Sequence, residues 1–334
     1  MYKVLFLLMW IVFASPLLAG FTEGEAAFSA RRYAEAMQAL RPLADQGDYR
    51  AQYYVAYMYL NGYGVTKNSD YGVSYLQKSV DQNYNLAQAL MGFLYEQGED
   101  VPRDYAKALE LYQKAAEQGN TSALLNLAVM YYFGHGVPEN LVKAIELLEQ
   151  IPIEEQPAAG RYLGDVYLAR DSSKTAEAMR AYQEAAQAGD LLSYIALAKF
   201  YLDGQGVDVD ARRALRYYEY AAAQGNAQAQ YELGLLYVNG RGVTKNTALG
   251  HAWLSYAASQ NYEPAAMALN QLKGEMTLAD QEKSRQEFIR IQEKVLGQVE
   301  SPLAEDMIKT QVKQAQDNEQ SQSFGRRRRR RRRR

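Results

Sequence analysis

The sequence TSALLNLAVMYYFGHGVPENLVKAIELLEQIPIEE, residues 121–155, contains the pattern from which the architecture of this protein follows. One face of a predicted first helix carries small and apolar residues at i, i+4, i+5 and i+8: Ala123, Leu127, Ala128 and Tyr131. Gly134-His-Gly-Val137 comes next, and glycine readily closes a helix in the left-handed conformation. Asn140 follows, and asparagine is a preferred cap for the start of a second helix. The stretch therefore predicts a hairpin of two short helices.

The same pattern recurs along the chain. Tyrosines followed three residues later by glycine form a row: Tyr59, Tyr95, Tyr131, Tyr201 and Tyr237. Tyr167 belongs to this row without its glycine, and the six tyrosines are 36, 36, 36, 34 and 36 residues apart. A second row with the same period marks the unit ends: Gly47, Asn83, Gly119, Gly189, Gly225 and Asn261. Two landmarks with one period indicate a repeat protein, in which we expect the tyrosines to fill the core.

The repeated unit resembles the Sel1-like repeat, a relative of the tetratricopeptide repeat. The resemblance rests on the Gly-x-Gly-Val turn, on Asn or Asp three residues beyond it, and on a closing Ala-Ala-x-x-Gly such as 221–225. It covers residues 50–273. It implies an all-α protein, a right-handed α-solenoid of about seven helix-turn-helix repeats with a 36-residue period. It also implies an adaptor role, often in bacterial envelopes.

One unit departs from the pattern. Residues 156–190 have Arg170-Asp-Ser-Ser-Lys174 in place of the Gly-x-Gly-Val turn, and the unit is two residues shorter than the others. We expect a turn closer to the tetratricopeptide type there, with a local change of superhelical twist.

The N-terminal segment predicts export. Lys3 precedes the apolar run 4–14, and the small pair Ala19-Gly20 follows, which is typical of a cleaved signal peptide over residues 1–20. The run is shorter than the roughly 20 residues of a membrane span. The alternative is an uncleaved membrane anchor. We therefore expect an exported protein, located in the periplasm or associated with the membrane.

Atypical segments are predicted to cap both ends of the array. Residues 21–49 form a tetratricopeptide-like N-terminal cap whose inward residues are Ala26, Phe28, Tyr33, Ala36 and Leu40. A C-terminal capping helix lies within 274–300, beginning at Thr277-x-x-Asp280, with an apolar face formed by Phe288, Ile291 and Val295. Residues 301–334 are polar, and we expect them to be mostly disordered.

The net charge of −2 combines an acidic body with a basic end. Residues 326–334 are nine arginines, and taking them away from −2 leaves −11 for the first 325 residues. An acidic body argues against specific nucleic-acid binding. The tail predicts contact with anionic lipid, through residues such as Arg326, Arg330 and Arg334. The alternatives are an appended tag, a repeat of no consequence, or a tail that folds back on its own acidic body.

Residue types that support catalysis are scarce. The chain has no cysteine and two histidines, His135 and His251, which lie in different repeats, so we predict no catalytic set and no metal site. The Gly-x-Gly turns lack the third glycine and the preceding strand of a dinucleotide site, so no cofactor is predicted either. Both histidines are interpreted as structural.

Partner-binding residues are expected on the first helix of each unit. Positions two and five residues before each tyrosine of the row point away from the packed face, which gives Tyr54, Tyr57, Phe93, Asn126 and Tyr162. First helices line the concave groove in related solenoids. Aromatic side chains in an acidic groove suit a protein or peptide partner, since tyrosine is an effective interface anchor. The alternative is that these side chains pack between layers.

These observations predict a monomeric, exported, non-catalytic scaffold that binds a protein or peptide partner in the cell envelope through its concave face. Two alternatives stay open. The first is an envelope hydrolase acting on cell-wall or β-lactam compounds, although the cysteines of the relatives associated with β-lactam binding are missing here. The second is a membrane-surface tether that acts through the arginine tail.

Overall fold

The computed structural model describes residues 20–272, 274 and 276–294, and helices are the regular elements of those ranges. The helices are α1 (20–29), α2 (Tyr33–Asp45), α3 (Tyr49–Asn61), α4 (Ser69–Asp81), α5 (Asn85–Gln97), α6 (Tyr105–Glu117), α7 (Thr121–Phe133), α8 (Leu141–Leu148), α9 (Pro157–Arg170), α10 (Thr175–Gln187), α11 (Leu191–Asp203), α12 (Ala211–Ala223), α13 (Ala227–Asn239), α14 (Thr247–Ser259), α15 (Glu263–Leu272) and α16 (Leu278–Lys294). The described residues divide into two compact units between Gln156 and Pro157, the first containing α1–α8 and the second α9–α16.

Consecutive helices pack as antiparallel hairpins in both units. In the first unit α3 packs with α4, α5 with α6 and α7 with α8, while α4 and α6 also contact the first helix of the next hairpin. The second unit repeats this arrangement with the pairs α9–α10, α11–α12 and α13–α14. The predicted all-α repeat solenoid is confirmed.

Left-handed glycines end the first helices, as the turn sequence predicts. Their φ angles lie between 67° and 74°: Gly62, Gly98, Gly134, Gly204 and Gly240. The predicted N-caps of the following helices also form, because each side chain accepts a backbone N–H at 2.9–3.1 Å: Asn68, Asp104, Asn140, Asp210 and Asn246. Each cap residue donates its own N–H to the carbonyl of the tyrosine in its repeat, at 2.8 or 2.9 Å. The turn is therefore tied to the helix before it and the helix after it.

Small residues allow the two helices of a hairpin to approach closely. A Cβ atom added to Gly92 on α5 would lie 2.9 Å from the ring of Tyr112 on α6. The equivalent addition to Gly234 on α13 would lie 2.8 Å from Leu254 on α14. The repeated alanine or glycine at this position thus follows from the spacing between the helices.

The tyrosine row is less buried than its sequence pattern predicts. Tyr201 is buried at 7% exposure, while the other five are half-buried. Tyr59, for example, stacks on Tyr75 with ring centroids 6.1 Å apart. The phenol hydroxyl explains the difference, because it reaches polar partners at the edge of the core, as Tyr237 does when it donates to Glu219 at 3.2 Å.

The departing unit has a tighter turn between its helices. α9 ends at Arg170 and α10 begins at Thr175, so the loop is shorter than the loop that joins α3 to α4. Asp171 takes over part of the role of the missing turn, because its carboxylate accepts the backbone N–H of Ser173 at 2.9 Å. The predicted change of superhelical twist stays a prediction.

The ends of the array follow the sequence with one correction. Ala26 is exposed and the neighbouring Ala27 is buried, because α1 presents the face one residue further along to α2 and α3. At the other end Thr277 and Asp280 form a reciprocal cap, and α16 packs on α14 with Ile291 fully buried. Residues 1–19 of the predicted signal peptide, Val295 and the tail lie outside the described residues, so the signal peptide stays a prediction. None of the described helices is long and apolar enough to cross a bilayer.

Candidate partner-binding cleft

A cleft of about 290 Å³ lies between α3 and α5 in the first unit. Two aromatic side chains from the predicted groove line it together: Tyr57, which is half-buried, and Phe93, which is 45% exposed. The other lining residues are Leu60, Asn61, Lys67, Leu90, Leu94, Gln97, Glu99 and Asp100. The cleft therefore combines aromatic and aliphatic walls with charged and amide groups at one end.

The repeat geometry brings Tyr57 and Phe93 together. They are 36 residues apart and occupy the same position on two 13-residue helices that begin at Tyr49 and Asn85. Stacking of consecutive repeats places equivalent positions side by side. Tyr57 is also fixed by its neighbours, since its ring centroid lies 5.8 Å from that of Phe28 and 6.1 Å from that of Tyr63.

Carboxylates mark one end of the cleft. Asp100 stands where most of the other turns have their second glycine, and its side chain is only 14% exposed. It accepts a hydrogen bond from the Ser69 hydroxyl at the start of α4, and its Oδ1 lies 3.4 Å from Lys67 Nζ. Glu99 beside it is exposed. The cleft thus already attracts one cationic side chain of its own chain.

The remaining predicted groove residues are not in this cleft. Tyr54 packs against α1, because its ring lies 5.0 Å from that of Phe28 and its hydroxyl donates to Glu25 at 2.8 Å. Burial, followed by the hydrogen bond to Glu25, raises the pKa of Tyr54 well above its ordinary value. Asn126 lies near the hydroxyl of Tyr112 and acts to lower the pKa of that group, against the larger effects of burial and Glu96. Both side chains serve contacts within the fold.

Tyr162 belongs to the second unit. Its ring lies under the guanidinium of Arg161, 4.2 Å from the centroid, and Arg161 is also 3.5 Å from Asp165. Burial raises the pKa of Asp165 above its ordinary value, although Tyr182 and Arg161 act in the opposite direction. Arg326, Arg330 and Arg334, the predicted lipid contacts, lie outside the described residues.

The two histidines have structural surroundings. His135 stacks between the rings of Tyr105 and Phe133, with its Nδ1 3.6 Å from Glu96. His251 is hydrogen-bonded to Ser284 at 2.9 Å, and burial lowers its pKa. Within the described ranges, no cluster of three or more His, Asp or Glu side chains is arranged to hold a metal ion.

Hydrogen bonds between pairs of glutamines recur along the chain, and the repeat pattern did not predict them. Gln118 donates to the buried Gln88 at 2.8 Å, and the pairs Gln82–Gln52 and Gln260–Gln230 repeat this contact at 2.9 and 2.6 Å. The donor stands 30 residues after the acceptor, at the end of the second helix of the same hairpin. The signal was available, because glutamine recurs at both positions with the repeat period.

The stacked hairpins and their shared cleft define a helical-repeat scaffold. The sequence profile of the Sel1 repeat matches residues 50–84, 85–120, 121–151, 191–226 and 227–262, which together make up just over half of the chain. The chain therefore belongs to the Sel1 repeat family, whose repeats typically form non-catalytic scaffolds for protein interactions.

Two solved structures are similar to this chain. One is a protective antigen present in uropathogenic Escherichia coli strains that displays an SLR fold, with 27% identity, a TM-score of 0.71, and coverage of 86% of this chain and 63% of that one. The other is a Sel1 repeat protein from Oxalobacter formigenes, with 28% identity, a TM-score of 0.65, and coverage of 72% of this chain and 99% of that one. The chain spans less than two thirds of the Escherichia coli protein. No curated protein sequence matches it.

Proposed function

We propose that this protein is an exported scaffold of the cell envelope that binds a protein or peptide partner through the cleft between α3 and α5. The observation that carries the proposal is the exposure of Phe93 at 45% beside Tyr57 in that cleft. An aromatic side chain that is open to water at the mouth of a cleft gains apolar contact when a partner covers it, and aromatic residues dominate the binding energy of many interfaces.

Export is the second part of the proposal. The charge of Lys3, the apolar run 4–14 and the small pair Ala19-Gly20 support it. Cell fractionation tests this part: we expect the chain, shortened by about 20 residues, in the periplasmic or membrane fraction. A full-length chain that stays with cytoplasmic markers would refute export and leave the binding proposal intact.

Site-specific crosslinking tests the binding surface. A photoreactive phenylalanine analogue in place of Phe93 should crosslink a protein in envelope extracts, because its ring faces the open cleft. The control is the same analogue in place of Tyr71 on α4, which is 59% exposed and outside the cleft. Equal crosslinking at both positions, or none at position 93, would contradict a partner site in this cleft. The envelope hydrolase and the lipid tether stay predictions.

A further inference from the structure

Acidic charge is concentrated in the first unit. Residues 20–156 contain 18 acidic and 10 basic residues, a net charge of −8. Residues 157–294 contain 16 acidic and 15 basic residues, a net charge of −1. A concentrated field of one sign attracts ligands of the opposite sign and accelerates their association. A partner that binds the first unit should therefore present basic residues.

The cleft between α3 and α5 has the groups that favour arginine over lysine. Phe93 and Tyr57 offer aromatic faces, on which a planar guanidinium stacks. Glu99 and Asp100 offer carboxylate oxygens, and the amide oxygens of Asn61 and Gln97 are further acceptors along the same wall. A compact ammonium group makes the charge contact and loses the stacking.

This chain already binds its own arginines in the same way. The guanidinium of Arg50 lies 4.1 Å from the centroid of Phe21 and 2.8 Å from a carboxylate oxygen of Asp48. Arg161 combines the ring of Tyr162 at 4.2 Å with Asp165 at 3.5 Å. Arg213 shows the aromatic part of this arrangement, because it lies 4.6 Å over Tyr201 and donates to the Tyr201 hydroxyl at 2.9 Å. In the cleft, the aromatic faces and carboxylates are present, and among the described residues that line it Lys67 is the one cation.

We propose that the cleft receives an arginine side chain from a basic segment of the partner protein, an inference that rests on the proposed function. The guanidinium stacks on Phe93 or Tyr57 and hydrogen-bonds the carboxylate of Glu99. Lys67, whose side chain is 58% exposed, moves away from Asp100 as the arginine enters. The charge of the first unit steers the basic segment, and the cleft selects arginine within it.

Peptide binding to the full chain tests the proposal. The probe is a fluorescent ten-residue peptide with three arginines separated by glycine and serine, measured by fluorescence anisotropy, beside the same peptide with three lysines. We expect the arginine peptide to bind at least three times more tightly than the lysine peptide. The double variant Phe93→Ala/Glu99→Gln should weaken arginine-peptide binding at least tenfold.

A matched double variant controls for charge and for loss of an aromatic ring. Tyr71→Ala/Asp70→Asn removes an exposed ring and an exposed carboxylate from α4, outside the cleft, with the same change in net charge. It should change the affinity less than twofold. Equal losses in the two double variants, or equal affinity for both peptides, would mean diffuse attraction to an acidic surface and would overturn the proposal.

Removal of residues 326–334 distinguishes the two sources of arginine. We expect affinity within twofold of the full chain, because the occupant belongs to a partner. A fivefold or greater gain on removal would show that the chain's own tail fills the cleft, which overturns the assignment to a partner. If crosslinking at position 93 captures a partner while the arginine peptide fails to bind, the inference fails and the proposed function stands; if crosslinking also fails, both fall.

Discussion

Replacement of Gly136 by alanine should destabilise the first unit more than replacement of Gly134, although both glycines have a φ of +70°. An alanine in the left-handed region costs about 1–2 kcal/mol, and this cost is common to both variants. The difference lies in the surroundings. A Cβ atom on Gly134 would lie 3.3 Å from its nearest neighbour, the backbone nitrogen of Glu139, whereas one on Gly136 would lie 2.4 Å from the Cβ of Tyr105.

The contact at Gly136 links two repeats, because Tyr105 is the first residue of α6 in the preceding hairpin. A separation of 2.4 Å requires the backbone or α6 to shift. Overpacking of this kind adds about 1–3 kcal/mol. We therefore expect a loss in the free energy of unfolding of about 1–2 kcal/mol for Gly134→Ala and about 2–5 kcal/mol for Gly136→Ala.

Urea unfolding followed by far-ultraviolet circular dichroism measures the free energies, and hydrogen exchange locates the loss in α6–α8. Gly134→Asn serves as a control, because asparagine tolerates the left-handed conformation and already adopts it at Asn83 and Asn261. It should lose less stability than Gly134→Ala. Equal losses for the two alanine variants would refute the packing argument, and no loss in either would refute the left-handed turn.

Two further predictions concern polar contacts. Gln88→Ala removes a side chain that is 2% exposed and bridges Gln118 and Asn83. We expect the free energy of unfolding, measured in urea, to fall by about 1–3 kcal/mol. The control Gln113→Ala, on the exposed face of α6, should change it by less than about 0.5 kcal/mol. Burial raises the pKa of Asp48, but hydrogen bonds from Arg50 and Ala51 outweigh it and hold the folded-state pKa below the ordinary value. The stability gained from Asp48 is therefore present above its unfolded pKa, near 4, and is lost as the pH falls through the folded pKa. Asp48→Asn should flatten the acid side of the plot of unfolding free energy against pH. An unchanged plot would contradict this assignment.

The cleft required information that the repeat pattern does not carry. The sequence predicts Tyr57 and Phe93, two residues before the tyrosine row, and Tyr54, five residues before it, all as groove residues. α1 covers Tyr54, whose hydroxyl donates to Glu25, 29 residues earlier in the chain. Phe93 stays 45% exposed. Asp100 is a departure from the Gly-x-Gly-Val turn in the sequence, yet its contacts with Ser69 and Lys67 follow from the stacking of hairpins.

The sequence alone determined the elements and their order. Left-handed glycines, asparagine and aspartate caps, and small residues between paired helices act within about 36 residues, so their spacing predicts each hairpin and the period that stacks them. Tertiary structure alone decided which equivalent positions stay open to water and which acquire a partner. The glutamine bridges depend on how the two helices of one hairpin pack. The cover over Tyr54 and the cleft beside Phe93 depend on contacts between successive hairpins, and a periodic sequence gives every hairpin the same pattern while its neighbours differ.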